Sequence, residues 1–86
     1  MSGDTIAVDS EIVWPADSGD VEEAIVSNWF VREGAAVTEG DHIAEMQIEK
    51  VSIDVLAPTT GEMVEIVVEE QDEFRRGDVL ARISPA

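Results

Sequence analysis

The segment VREGAAVTEGDHIA, residues 31–44, recurs as VEEQDEFRRGDVLA at residues 68–81. The two copies align without gaps at a constant offset of 37 residues (68 − 31). The glycine–aspartate pair at 40–41 coincides with the pair at 77–78, and apolar residues coincide on either side of it. Short repeats that cannot bury an apolar face alone must pack on each other. We therefore predict two half-domains of about 37 residues related by a pseudo-twofold axis.

Short apolar runs separated by turn residues make up most of the remaining chain. Strands are predicted at 11–14, 22–31, around Val37, and at 43–48, 51–57, 62–68 and 79–83. Turns are predicted at 17–20, 33–34, 40–41, 58–61, 71–72 and 77–78. Short strands at this spacing are typical of sandwiches and barrels, and no segment of helical length has a period of 3.6 residues. We predict an all-β fold, a flattened barrel or sandwich of two four-stranded sheets.

The boundaries of the folded unit follow from where this pattern starts. Residues 1–10 carry little pattern and are predicted to be a flexible leader, with the domain at 11–84.

No apolar run approaches the roughly 20 residues that cross a bilayer, and the N-terminus lacks the basic start of a signal peptide. We expect a cytoplasmic protein. The sequence has no cysteine, which excludes disulfides and thiolate metal sites.

Charge narrows the possible partners. Twenty acidic residues against five basic ones give a formal net charge of −15. Such a surface repels phosphate backbones and anionic lipid headgroups, so nucleic-acid and membrane roles are disfavoured. Two interpretations of the acidity stay open: solubility or adaptation to high salt, and attraction to basic surfaces of partner proteins.

Lys50 is the only lysine in the sequence, and it lies between two predicted strands. The alternation in 51–55 predicts that Val51, Ile53 and Val55 face inward, which leaves only Glu49 and Lys50 for the turn. An exposed primary amine on a rigid support suits covalent attachment of a group. The alternative is an ordinary solvated lysine in a hairpin. Lys50 lies at the junction of the two halves, and the chain termini are expected at the opposite end of the domain. This position favours attachment.

Other chemistry-bearing residues form no recognisable set. His42 is the sole histidine, has no evident partner, and is expected to be a surface or turn residue. One histidine with scattered carboxylates does not make a metal site. Trp14 and Trp29 are expected in the core, with Trp29 on one strand face beside Ile25 and Val31. No Ser/His/Asp signature is present, so we expect neither catalytic residues nor a metal.

Several dispersed segments together resemble the lipoyl domains of 2-oxo acid dehydrogenase complexes. The resemblance runs from about Glu11 to Ile83, and its segments are Trp14-Pro15, Ser18-Gly19, Ile25-Val26, Trp29, Gly34, Gly40-Asp41, Glu45 to Val51, Ala57-Pro58, Gly61 and Gly77-Asp78. The lysine follows an acidic residue in a hairpin, as in that family. Five positions depart from the usual residues: Ala24 and Gln71 replace glycines, Ile48 replaces threonine, Glu49 replaces aspartate and Val51 replaces alanine.

The resemblance implies a non-catalytic swinging-arm carrier domain, either free-standing or part of a dihydrolipoamide acyltransferase, with lipoate in amide linkage on Lys50. Expected partners are a thiamin-dependent 2-oxo acid dehydrogenase, the acyltransferase core, dihydrolipoamide dehydrogenase and a lipoate ligase or transferase, and the domain itself is expected to be monomeric. Recognition by these partners is expected at Glu49, Val51, Glu45 and Asp54. Two alternatives stay open: biotin on Lys50, and an unmodified β-sandwich adaptor.

Overall fold

Eight short strands and one helical turn form the part of the chain that the computed structural model describes, residues 4–15 and 21–86. The elements are β1 Ile6–Asp9, α1 Ser10–Val13, β2 Glu23–Trp29, β3 Ala36–Val37, β4 His42–Ile48, β5 Val51–Leu56, β6 Gly61–Ile66, β7 Glu73–Arg75 and β8 Val79–Pro85. Within these ranges, no helix is long and apolar enough to cross a membrane. The turn predicted at 17–20 and the first three residues of the predicted leader lie outside the described residues.

The strands form two antiparallel four-stranded sheets, which confirms the predicted fold class. One sheet has the order β1-β8-β6-β3 and the other β5-β4-β2-β7. Apolar side chains from both sheets make one core. Its fully buried large members are Ile43, Met46, Met63, Leu80, Ile83, Val26 and Val55.

The predicted pseudo-twofold symmetry is present in both topology and hydrogen bonding. The 37-residue offset carries β4, residues 42–48, onto β8, residues 79–85. Exchanging the halves converts the strand order of one sheet into that of the other. The Thr38 amide donates to Asp41 Oδ2 at 2.8 Å, and the Arg75 amide donates to Asp78 Oδ2 at 2.8 Å. The repeated aspartate therefore closes the same turn twice, since a short carboxylate readily accepts from a nearby backbone amide.

The flexible leader predicted for residues 1–10 is wrong for Ile6–Asp9. These residues form β1, which pairs with β8 from Ile6 opposite Ile83 to Asp9 opposite Val79. Only Val8 in this strand is buried. β1 is an edge strand of four residues, so the sequence shows too little alternation to identify it.

The strand predicted at 11–14 is also wrong. Ser10–Val13 form the helical turn α1, whose N-cap Asp9 accepts a hydrogen bond from the Glu11 amide at 2.9 Å. An aspartate at this position satisfies an amide that has no partner within the helix. Trp14 follows the turn and is buried as predicted, edge-on to Phe74 with ring centroids 6.1 Å apart.

The face predicted for the second strand needs a correction. Val26 is fully buried, whereas Ile25 lies half-buried on the outward side of β2. The register shifts between Val26 and Asn28, so a bulge interrupts the alternation on which the prediction depended. Trp29 packs partly against the core, and its indole Nε1 donates to the Val68 carbonyl at 2.8 Å.

The chain end and the Lys50 turn lie at opposite ends of the molecule. The Ala86 amide donates to the Thr60 carbonyl, and Thr60 Oγ1 accepts from the Glu39 amide, both at 2.9 Å. Glu39 lies in the turn that precedes β4, whereas Lys50 follows the other end of that strand. β1 begins beside the same end, because Ile6 pairs with Ile83. The position predicted for the termini is confirmed for the described residues.

Candidate functional site

Lys50 lies in a two-residue turn at the tip of the β4–β5 hairpin, as predicted. Ile48 pairs with Val51, so only Glu49 and Lys50 are left in the loop, and both are exposed. Among the described residues the ion pairs involve His42 and three arginines, and no carboxylate pairs with the Lys50 ammonium. The amine is therefore open to a reagent from solvent.

The support beneath the turn is rigid. β4 is a central strand of its sheet, paired with β5 on one side and β2 on the other. Ile48, the last residue before the turn, is buried, as are Met46 and Val55 deeper in the hairpin. The two strands are thus held by the core on one face, and the turn projects from a fixed base.

Val51 differs from its prediction. It was expected to face inward, but 57% of its surface is exposed. The strand alternation continues through Ile53 to the buried Val55, so Val51 is on the core side of β5. It lies beside the tip, beyond the apolar residues that cover the deeper positions. An aliphatic side chain is therefore exposed directly next to Lys50.

The four residues expected to take part in recognition fall into two groups. Glu49 and Val51 flank Lys50, whereas Glu45 and Asp54 face each other across the hairpin. Glu45 lies three positions before Ile48, the last residue of β4, and is therefore about 10 Å from the end of the strand. The Asp54 carboxylate oxygen Oδ1 lies 3.0 Å from His42 Nε2. The structure thus does not bring Glu45 and Asp54 to Lys50.

His42 has partners that the sequence did not reveal. Besides Asp54 it contacts Phe30, edge-on with ring centroids 5.1 Å apart. These residues lie near the end of β4 that is away from Lys50. Phe30 is 12 residues from His42 along the chain (42 − 30), so only the β2–β4 pairing brings them together.

A groove beside the Lys50 turn was also missed. Its lining residues are Glu23, Ala24, Ile25, Gln47, Glu49 and Glu73, and a neighbouring groove adds Val21, Glu22 and Arg75. The register explains the assembly, because Ile25 pairs with Gln47 on one side and Glu73 on the other. No local motif links these segments, so only the strand order could have identified the groove. The side of the turn that faces it is strongly acidic.

A brace joins α1 to the turn before β8 near the same end. Ser10 is fully buried, and its Oγ donates to the Arg75 carbonyl at 3.3 Å and accepts from the Gly77 amide at 2.9 Å. The Arg76 guanidinium donates to both Glu11 carboxylate oxygens. These hydrogen bonds, followed by the attraction of opposite charges, raise the pKa of Arg76 above its ordinary value.

The described residues offer no metal-binding cluster of histidines and carboxylates. The grooves that border Lys50 are open to solvent and are lined largely by glutamates. They differ from the enclosed apolar cavities in which enzymes commonly bind small molecules. What the site offers chemically is one accessible primary amine on a rigid hairpin.

Comparison with known proteins gives consistent results. The biotin/lipoyl family model, described as biotin-requiring enzyme, matches residues 10–83. An acetyltransferase component of the pyruvate dehydrogenase complex from Staphylococcus aureus is 33% identical over 63 residues, covering 73% of this chain and 15% of that protein. A succinyltransferase component of the 2-oxoglutarate dehydrogenase complex from Bartonella vinsonii is 35% identical over 74 residues, covering 86% and 18%.

A solved structure shows the same architecture. The lipoyl domain of the 2-oxoglutarate dehydrogenase complex from Azotobacter vinelandii superposes with a TM-score of 0.72 at 25% sequence identity. The match covers 98% of this chain and 99% of that one. The chain therefore matches nearly the full length of that lipoyl domain but spans less than a fifth of the length of the two acyltransferase components.

Proposed function

The chain belongs to the biotin/lipoyl attachment family, and we propose that it is a carrier domain that receives a lipoyl group in amide linkage on Lys50. The observation that supports the proposal most is the position of its only lysine at the tip of a rigid hairpin. The relatives in acyltransferase components and the match to a lipoyl domain support lipoate as the attached group.

The residues at the turn fit such a group. Attachment requires an amine that an enzyme can reach, and Lys50 is exposed without a carboxylate partner among the described residues. In the attachment step the Lys50 nitrogen forms an amide bond with the carboxyl carbon of lipoate activated by ATP. The bond from that carbon to the departing AMP breaks, and a proton leaves the nitrogen for solvent. Acylation removes the positive charge and lengthens the side chain.

The role of the protein is to position the arm, because the attached dithiolane supplies the redox and acyl-carrying chemistry. The arm would visit a thiamin-dependent 2-oxo acid dehydrogenase, an acyltransferase core and dihydrolipoamide dehydrogenase. Tethering raises the local concentration of the arm at each site, to roughly millimolar for short flexible links. The domain itself would catalyse no step.

Partner recognition follows from the surroundings of Lys50. Glu49 and Val51 flank the lysine, so any enzyme that reaches the amine meets an acidic and an aliphatic side chain. Glu45 and Asp54 would contribute only to a partner that also covers the outward face of the hairpin. Basic surfaces on the partners would suit the net charge of −15.

Biotin is the second candidate, because the matching family model covers biotin-requiring enzymes as well. In biotinyl domains the lysine is flanked by methionines, whereas here its neighbours are Glu49 and Val51. Lipoate is therefore the favoured group. An unmodified adaptor would leave the exposed Lys50 without a role.

Intact mass after enzymatic loading tests the proposal. The full chain is incubated with ATP and either lipoate plus a lipoate ligase or biotin plus a biotin ligase. We expect a gain of one lipoyl group, absent from Lys50→Arg, whose melting temperature should match that of the wild type because the residue is exposed. A gain of biotin alone would identify a biotin carrier, and no gain from either enzyme would favour the adaptor.

A further inference from the structure

The turn that carries Lys50 adopts a backbone conformation that its residues do not favour. Its first residue, Glu49, has φ +54°. That left-handed region suits glycine and asparagine far better than glutamate, because a larger side chain crowds its own backbone. Contacts with other residues must therefore help to stabilise this turn conformation.

Gln47 makes such a contact. Its side-chain Nε2 donates a hydrogen bond to the Glu49 carbonyl at 2.9 Å. That carbonyl belongs to the peptide group joining Glu49 to Lys50, so the bond restrains the plane from which Lys50 leaves the turn. Gln47 is exposed on β4, between Ser52 of β5 and Ile25 of β2. Its side chain lies outside the core and can act on the turn without disturbing packing.

A carboxylate cannot replace the Gln47 amide in this role. A carboxylate at residue 47 has no N–H to donate. It would also add a negative charge to a groove already lined by Glu23, Glu49 and Glu73. Like charges at such short range repel, so glutamate at 47 would push the turn away instead of holding it.

The fold itself does not need this hydrogen bond. The 37-residue offset places Ser84 at the position equivalent to Gln47, and Ser84 still pairs in register with Glu62. The strand thus forms normally in the half that carries no lysine. The glutamine is found in the half whose strand leads into Lys50.

We propose that Gln47 is a positioning residue for modification of Lys50: its amide fixes the Glu49–Lys50 peptide and so presets the direction in which the amine is presented. This inference rests on the proposed function, because it assigns a role in the loading reaction. Gln47 touches neither the amine nor the incoming group, and it acts through the backbone of Glu49.

Two variants with one control test the inference in the full chain. Gln47→Met removes the donor at similar size, and Gln47→Glu removes it and adds charge. Asn28→Asp adds a charge on the exposed surface of β2, opposite Glu45 and away from the turn. We measure kcat/KM for loading by a lipoate ligase, and the backbone order parameter of the Lys50 amide by NMR relaxation in the unloaded chain.

Loss of one exposed hydrogen bond should lower kcat/KM roughly 3- to 10-fold in Gln47→Met, and by more in Gln47→Glu because the added charge repels the neighbouring glutamates. The order parameter should fall from about 0.85 to below about 0.6, while the melting temperature stays unchanged. Asn28→Asp should match the wild type in loading and in the order parameter, with only a small loss of melting temperature from the new charge opposite Glu45. Equal loading of wild type and Gln47→Met, or an unchanged order parameter, would overturn the inference alone. A wild type that cannot be loaded would overturn the proposed function as well.

Discussion

Gly34 and Gln71 occupy the same position in the two halves of the domain, and both have positive φ, +92° for the glycine and +72° for the glutamine. The surrounding hydrogen bonds repeat too. The Gly34 amide donates to the Met63 carbonyl at 2.6 Å, and the Gln71 amide donates to the Val26 carbonyl at 2.7 Å. The turn geometry is thus imposed by the cross-strand bonds, and only one half has the residue that adopts it without strain.

Exchanging residue types at these two positions should shift stability in opposite directions. A Cβ at position 34 would meet nothing within 4 Å, so Gly34→Ala tests the backbone alone. It should lower the free energy of unfolding by about 1 kcal/mol. Gln71→Gly should raise it by a smaller amount, because the glutamine side chain also donates to the Ser27 carbonyl at 3.2 Å. Urea unfolding checks both, and a destabilised Gln71→Gly would contradict the assignment of strain.

Ser10→Ala should destabilise the domain although the residue lies where the sequence suggested a leader. The fully buried hydroxyl accepts from the Gly77 amide at 2.9 Å and donates to the Arg75 carbonyl at 3.3 Å. Loss of these two part-buried hydrogen bonds should cost about 1–3 kcal/mol in total. Urea unfolding measures the loss. Ser52→Ala, at an exposed site on β5, is the matched control and should stay within about 0.5 kcal/mol of the wild type.

Gly61→Ala should disrupt the pairing of β6 with β8. A Cβ at this position would overlap the Ser84 carbonyl oxygen and lie 2.9 Å from Pro85 Cα. Both obstacles are backbone atoms, so no side chain can move aside, and we expect a loss of more than about 3 kcal/mol or failure to fold. Circular dichroism with thermal melting reads this out. The neighbouring exposed Glu62→Ala serves as control, and wild-type stability of Gly61→Ala would refute the close approach.

Glu45→Gln should stabilise the domain at low salt. Glu45 and Asp54 are directly opposite each other on β4 and β5, and like charges so placed are unfavourable by about 0.2–1 kcal/mol. Added salt screens the repulsion, so the gain should shrink near 1 M NaCl, where the Debye length is about 3 Å. Glu62→Gln, whose cross-strand partners are Ala36 and Ser84, removes a charge without relieving such a pair. An equal gain in the free energy of unfolding in both variants would show that the effect comes from net charge and not from the opposed pair.

Much of the fold was predictable because its signals are local. The Gly-Asp turns close through contacts three residues apart, as between Thr38 and Asp41, so their chemistry can be read within a short window. The constant offset then implies two equivalent halves and, from them, two sheets. β1 and α1 escaped because an edge strand of four residues and a single helical turn are too short to show a period.

The neighbourhood of the site was predictable only in part. Lys50 was identified because the strands on both sides leave two residues for its turn. The exposure of Val51 could not be foreseen, since alternation predicts which face a side chain takes but not whether that face is covered at the end of a sandwich. The His42–Asp54 contact likewise depends on the register between two strands.

By itself the sequence determined the turns, the repeat and the position of Lys50 at the junction of the halves, because these depend on residues a few positions apart. The tertiary structure alone decided which side chains surround that lysine and what braces the end that carries it. Ser10 and Arg75 are 65 residues apart in the chain, and Trp29 and Val68 are 39 apart. Contacts of that kind arise from strand order and sheet packing, which no local pattern specifies.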